Sequence, residues 1–343
     1  MTDLTPRRIV LARHVQGRPA PSDFRIEPLV LPPLEDGMFK VRNLFISADP
    51  GTRSRLSGSA SYAAGLKIGD VIDGFAVGVV EESLNPAYPV GSHVTLGSGW
   101  ATHTISKGRG YCAPVPLIEG VPLSAWIGVL GVPGMTAWFG LQRVAALKPG
   151  ERVLVTSAAG PVGATAAQLA RAWGAARVAG VAGDVGAGRE KTRWLMEEAG
   201  LDALVDHRAP DFDTLVAAAM PEGIDVLFDN VGNAMIDRLI PLMRPGGRIV
   251  VSGQVADYSL PPHQRPGIVN TAAFITHRLR MEGLVVFDDL RAFPQAQAEA
   301  AALVADGRLK LAEIISDGLD SLPEAFCGLF GSGARFGRRI ARI

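Results

Sequence analysis

The sequence predicts an α/β protein: a doubly wound parallel sheet of Rossmann type, joined to a β-rich domain drawn from both ends of the chain. Three observations predict it. From about residue 150, short apolar, β-branched runs alternate with helix-patterned segments, as right-handed βαβ units require. Before about residue 125 the texture is rich in Pro and Gly, with short alternations such as Phe39-Lys40-Val41-Arg42-Asn43-Leu44 and Gly91-Ser92-His93-Val94-Thr95-Leu96. Beyond about Ala305 strand-like texture returns. The expected boundaries are 1–128 for the first part of the β-rich domain, 129–305 for the doubly wound domain and 306–343 for the return. A chain of 343 residues fits two domains of roughly 150 residues, each with its own core.

The doubly wound elements follow in order. Arg152–Ser157 reads as the first strand, then a small-residue turn and a helix through Trp173. Arg177–Ala182 is the second strand and Glu190–Ala199 a helix; Ala203–His207 is the third strand and Asp211–Met220 a helix. Ile224–Asn230 is the fourth strand, and the helix Met235–Met243 is closed by Pro245-Gly246-Gly247. Arg248–Ser252 and Arg280–Val286 are the fifth and sixth strands, and a helix from Asp288 to about Ala305 leads out of the domain. The uncharged run Gly120–Gln142 is long enough to imitate a membrane span. Pro122, Pro133 and five glycines argue that it is buried inter-domain structure instead.

Composition narrows the function classes. Lys+Arg and Asp+Glu both number 34, so no electrostatic footprint for a nucleic acid or an anionic membrane is present. Two cysteines, Cys112 and Cys327, exclude a disulfide scaffold and a four-cysteine zinc lobe. They fit a reducing compartment, and no signal pattern opens the chain, so a cytoplasmic location is expected. The six histidines form no HxxxH or HxH pair, and no Cys…His…Cys framework exists; no metal is expected.

The sharpest motif is Ala158-Ala159-Gly160-Pro161-Val162-Gly163, where the first strand meets its helix. A dinucleotide's pyrophosphate meets a helix's positive end and free N–H groups at such a place. Gly160 lets the backbone approach the phosphates and Gly163 lets the helix pack closely. Ala158 replaces the first glycine of the usual G-x-G-x-x-G, so the pattern draws its force from the alternation around it. The second strand ends at Ala182-Gly183 without the acid that binds an NAD ribose. Lys191 and Arg193 lie just beyond and suit a 2′-phosphate, although alone they read more readily as a solvated helix face. Asp184 is the carboxylate able to take the NAD role; the missing acid at Ala182 favours NADPH/NADP+. Tyr258, after the fifth strand in Ser252-Gly253-Gln254-Val255-Ala256-Asp257-Tyr258, is the candidate hydrogen-bond donor to a developing oxyanion, or else a surface-loop tyrosine. No G-x-S-x-G elbow or Cys/His arrangement points to nucleophilic catalysis.

These residues resemble the zinc-independent branch of the medium-chain dehydrogenase/reductase superfamily, and within it the prostaglandin reductase / leukotriene B4 dehydrogenase group, with its NADPH-dependent 2-alkenal and enone reductases. The matching segments are Arg42-Asn43-Leu44 with Asp49-Pro50-x-x-Arg53, IGVLGVPGMTAWFGL at 127–141, AAGPVG at 158–163, Glu190-Lys191, FDNVG at 228–232, RLRMEGLVVFD at 278–288 and Gly-Arg-Arg-Ile at 337–340. The resemblance implies a GroES-like β domain beside the nucleotide domain, usually as a homodimer. It implies that Gly160, Pro161, Val162 and Gly163 hold the pyrophosphate and that Lys191 pairs with the 2′-phosphate. Asn230 would lie near the cofactor, with Ser252 and Gly253 on the nicotinamide side, and Leu284, Val285 and Val286 would meet the carboxamide through their backbone. Tyr258 matches the tyrosine at the substrate oxygen. His207 stands where the family usually has tyrosine near the adenosine phosphate. Arg335 stands near a replaced asparagine of the closing cofactor contact, residues 184–187 look like an insertion, and Gly51 and Trp138 replace tyrosines. The implied reaction is reduction of the C=C bond of a small-molecule enone or alkenal. A quinone reductase of the same superfamily and a non-catalytic NADPH-binding scaffold are the alternatives.

Overall fold

A computed structural model describes residues 5–58, 64–258, 260, 262–331 and 336–343. The chain forms two compact units: residues 1–127, 313–333 and 338–343 make one, and 128–312 with 334–337 the other.

In the first unit β1 (Arg7–Leu11) and β2 (Phe24–Pro28) pair antiparallel. A larger sheet takes β3 (Phe39–Ser47), β4 (Phe75–Ser83), β5 (His93–Gly97), β6 (His103–Ser106) and β7 (Cys112–Val115). The period-two pattern is visible in β3, where Phe39, Val41 and Asn43 are buried and Lys40 and Arg42 are only half covered. Trp100 is fully buried; its indole N–H donates to the Ser47 carbonyl at 3.1 Å and its ring packs on Phe24 and Phe326.

The second unit opens with α1 (Val132–Phe139), followed by β8 (Arg152–Thr156), α2 (Pro161–Ala172), β9 (Arg177–Ala182), α3 (Glu190–Arg193) and β10 (Ala203–Asp206). Next come α4 (Phe212–Ala219), β11 (Ile224–Asp229), α5 (Asn233–Leu239) and β12 (Met243–Val251). The unit closes with α6 (Ala272–Thr276), β13 (Arg280–Gly283) and α7 (Phe293–Ala305). All six strands are parallel, in the order β10-β9-β8-β11-β12-β13. The chain winds outward from β8 to one side and returns to β11 on the other. The reversal leaves a crevice outside the carboxyl ends of β8 and β11, where ligands bind in such folds. Strands buried on both faces read as unbroken apolar runs, as in Val153-Leu154-Val155 and Val226-Leu227-Phe228, all fully buried.

The remaining chain, β14 (Glu313–Asp317), α8 (Leu322–Gly328) and β15 (Arg338–Arg342), rejoins the first unit. β15 pairs antiparallel with β3, Ile340 opposite Ser47, so the β-rich unit is discontinuous as the sequence predicted.

The apolar run that imitated a membrane span is divided between a short 3₁₀ turn at Leu123–Ile127 and the eight-residue α1. Among the described residues no helix is long and apolar enough to cross a membrane. Trp138 on α1 is a core residue: it is buried, and its indole N–H donates to Glu299 Oε2 at 2.8 Å. The helix expected over Glu190–Ala199 makes one α turn and then widens to a π turn over Trp194–Glu198.

Candidate active site

Four groups of residues gather at the carboxyl ends of the parallel strands. The first is the turn between β8 and α2. Ser157 sits in the left-handed region at φ +50°, which swings its carbonyl under the start of α2. That carbonyl accepts the Gly160 N–H at 2.9 Å. A Cβ at residue 163 would overlap the Ser157 oxygen and stand 2.9 Å from the Ala158 Cα, so only glycine lets the helix start this close to the strand. Gly160 caps the helix in an extended conformation and Pro161 occupies its first turn, where it has no N–H to leave unpaired. The first bond of the turn runs from Ala164 N–H to the Gly160 carbonyl at 2.8 Å. The Val162 and Gly163 N–H groups precede it and point out of the helix's positive end. Gly337 N–H donates to the Ala159 carbonyl at 2.9 Å, so residues 336–337 close one side of this turn. Arg335 lies outside the described residues.

The second group ties the ends of β8, β11 and β12 together. Asn230 Nδ2 donates to the Thr156 carbonyl at 2.8 Å, and Asn230 Oδ1 accepts the Ser252 hydroxyl at 2.6 Å. Thr156 Oγ1 donates to Asp229 Oδ1 at 2.6 Å and accepts the Asn230 N–H at 2.9 Å. Asp229 Oδ2 accepts the Val231 and Gly232 N–H groups. Burial pushes the Asp229 carboxyl up to about 6; those three donors oppose the shift and Asp257 nearby adds to it.

The third group is the loop after β12. Its Val255 and Ala256 N–H groups donate to the carbonyls of Asn230 and Val231, which lays the loop over the second group. The Tyr258 hydroxyl accepts the Gln254 N–H at 3.4 Å and lies 3.4 Å from where a Gly253 Cβ would stand. Burial raises the phenol above its ordinary range, so it stays neutral and keeps its proton to donate. Asp257 is buried against Gly232.

The fourth group stands at the ends of β9 and β10. The parallel register sets Asp206 beside Ala182, and the next residues, Gly183 and His207, follow in step. Lys191 is 5% exposed, and its ammonium donates to the Gly183 carbonyl. Burial lowers its pKa, with Asp184 opposing. Asp184 is held in an ion pair with Arg189 at 3.1 Å. Sequence reasoning passed over Arg208, whose guanidinium lies against Gly183. No local motif marks it; only the register between two strands brings it there. Arg193 is exposed on α3, and its side chain meets no hydrogen-bond or ion-pair partner among the described residues.

At the end of β13, Leu284 N–H donates to the Val251 carbonyl at 3.3 Å, Val285 is exposed, and Val286 is buried at the head of a short helical turn.

A doubly wound sheet with a helix N-terminus, a cationic corner and a half-buried phenol at one edge defines a dinucleotide-dependent oxidoreductase. Known proteins agree with that class. Residues 7–113 match the family described as the N-terminal domain of oxidoreductase, and residues 161–304 match the zinc-binding dehydrogenase family. The NADPH-dependent curcumin reductase of Escherichia coli K12 is 36% identical over 98% of this chain and 96% of its own length. The NADP-dependent 2-alkenal reductase of Nicotiana tabacum is 32% identical over 99% and 98%. The crystal structure of CurA from Vibrio vulnificus in complex with NADPH superposes with a TM-score of 0.88 at 31% identity, covering 98% of both chains. The chain belongs to the medium-chain dehydrogenase/reductase superfamily, in the group of 2-alkenal and prostaglandin reductases that its motifs resemble. Despite the zinc in one family description, the described residues contain no group of three or more His, Cys, Asp or Glu placed to hold a metal.

Proposed function

We propose that the protein uses NADPH to reduce the C=C bond of α,β-unsaturated ketones and aldehydes. The observation that carries this reading is the neutral Tyr258 phenol, held at the Gly253-Gln254 backbone over the strand-end network. The names of the full-length relatives support it.

Bound NADPH supplies the hydride that reaches the substrate's β-carbon. The chain's own residues do the rest. The Val162 and Gly163 N–H groups take the pyrophosphate at the head of α2. Lys191 and His207 favour the 2′-phosphate from the corner at Gly183. Asn230, Ser252 and Gly253 shape the nicotinamide side, and the backbone of Leu284, Val285 and Val286 meets the carboxamide. Tyr258 donates its hydroxyl proton in a hydrogen bond to the substrate carbonyl oxygen, where negative charge gathers as the enolate forms. A proton from solvent then completes the α-carbon. The phenol stabilises that charge without a metal, so we assign the protein to the zinc-independent branch.

A homodimer fits the edge of the parallel sheet, where β13 is exposed along its length and Met281, Val285, Phe287 and Ile275 present apolar surface. A cytoplasmic location fits the two free cysteines.

The test is Tyr258→Phe assayed against an enone, an alkenal and a quinone with NADPH and NADH. We expect enone turnover to fall by about 10²–10³-fold, with NADPH still bound. An unchanged kcat/KM removes Tyr258 from the mechanism. Wild-type turnover of the quinone alone would move the protein to the quinone reductases. Tight NADPH binding with no acceptor reduced would leave a scaffold.

A further inference from the structure

We propose that Arg208 is a specificity-determining residue, its guanidinium forming with His207 the exposed fork that receives the 2′-phosphate of the dinucleotide. This rests on the NADPH reading above and assigns the recognition to a different cation from those the sequence pointed to.

The geometry at Gly183 carries the argument. A Cβ there would stand 2.6 Å from His207 Nε2, 2.7 Å from Arg208 Nη2 and 3.1 Å from Arg208 Nε. Both side chains therefore lie close against the residue that follows β9, where the adenosine ribose sits in doubly wound folds. Arg208 is free to act. Its side chain is 55% exposed, and its ion pair is the distant one with Asp206, at 4.0 Å. Asp206 is already occupied: Oδ1 accepts the Arg208 N–H at 2.9 Å and Oδ2 the Val185 N–H at 3.2 Å. The other carboxylate of the corner, Asp184, is paired with Arg189. It is thereby kept from opposing a phosphate.

Lys191 adds its charge from a different place: it is buried and its ammonium is engaged by the Gly183 carbonyl, so it braces the corner and supports the phosphate without being its exposed receiver. Arg193 on α3 touches none of these groups. A planar guanidinium presents paired donors that match two phosphate oxygens, and it loses little on desolvation compared with an ammonium. Arg208 has that chemistry and that exposure with no close carboxylate holding it, whereas the equally exposed Arg189 is engaged by Asp184.

The experiment compares wild type, Arg208→Ala and Arg208→Lys by titration calorimetry with 2′,5′-ADP and with ADP. The kcat/KM ratio for NADPH over NADH is measured alongside. We expect Arg208→Ala to weaken 2′,5′-ADP by about 10–100-fold, the span of one lost charge-assisted contact. ADP affinity should stay within about 2-fold, which also reports an intact fold, and lysine should restore part of the loss. If wild type binds 2′,5′-ADP no tighter than ADP, the NADPH reading fails and Arg208 falls with it. If wild type prefers 2′,5′-ADP but Arg208→Ala leaves that preference unchanged, or weakens both ligands equally, the Arg208 assignment alone is overturned.

Discussion

Two corners of the α/β unit are built from opposite materials. At the end of β8 the chain prepares a place for an anion with backbone alone: a left-handed serine, two glycines, a proline and the free N–H groups of a helix. At the end of β9 the same kind of task falls to side chains, with Lys191 beneath Gly183 and His207 and Arg208 above it. A backbone site works by shape, and its residues cannot be exchanged without moving the chain. A side-chain site works by charge, and its members can be exchanged at a graded cost. The difference explains why the first corner carries a motif and the second does not.

Substitutions separate the two. Gly163→Val should have the largest effect, because its branched side chain would be driven into the Ser157 carbonyl and the Ala158 backbone. Backbone clashes in a packed turn cost about 1–3 kcal/mol or more, so a clear fall in the denaturant midpoint is expected, together with loss of dinucleotide binding. A variant that unfolds like wild type and binds NADPH normally would show that the turn has slack. Lys191→Met keeps the stem and removes the charge. The expected result is a KM for NADPH raised by about 10-fold with the KM for NADH little changed. Equal weakening of both cofactors would instead mean that the lysine only braces the loop.

Beside the β8 corner, on the side away from β9, lies the buried acid of the strand-end network, at the end of β11. The Asp229 carboxyl is raised to about 6, above the ordinary 3.8 it regains on unfolding. Its protonated form is therefore favoured by the fold. The associated stability is present below about pH 4 and is lost as the pH rises through about 6. Urea unfolding at pH 4.5 and 7.5 should show wild type losing about 1–3 kcal/mol more than Asp229→Asn over that interval. Identical pH profiles would mean that the three donors compensate fully for burial. Arg193→Ala should give the smallest effect, within about 0.5 kcal/mol in stability and about 2-fold in NADPH affinity, read by the same two assays. A larger loss would bring α3 into the side-chain corner after all.

Much of this was legible before the fold was known. Strands β8 and β11 announced themselves as unbroken apolar runs, and Arg177–Ala182 falls where the sequence reading put it. Edges were less legible. The strand expected to run to Val286 pairs only through Gly283, because nothing in Leu284-Val285-Val286 distinguishes continued pairing from departure. Likewise the widening of α3 into a π turn leaves no trace in propensity. Gly160, Gly163 and Tyr258 were readable because each sits at a fixed offset from a strand end. Arg208 was not, since its meaning arises only when β10 lies beside β9 in register. Asn230 was read as a cofactor neighbour, but its role in joining Thr156 to Ser252 depends on three strand ends meeting.

The bond from Gly337 to Ala159 has a consequence for how the nucleotide-binding half can be cut out or made. A fragment spanning 128–312 would contain every strand of the parallel sheet yet leave the Ala159 carbonyl without that donor. On the ribosome, the turn that Ala159 opens is synthesised 178 residues before its last partner exists (337 − 159). The shortest contiguous segment that encodes both the sheet and the finished turn must run to residue 337 and so carries 313–333 of the β-rich unit with it; a minimal version of this half alone calls for a circular permutation or a spliced tail.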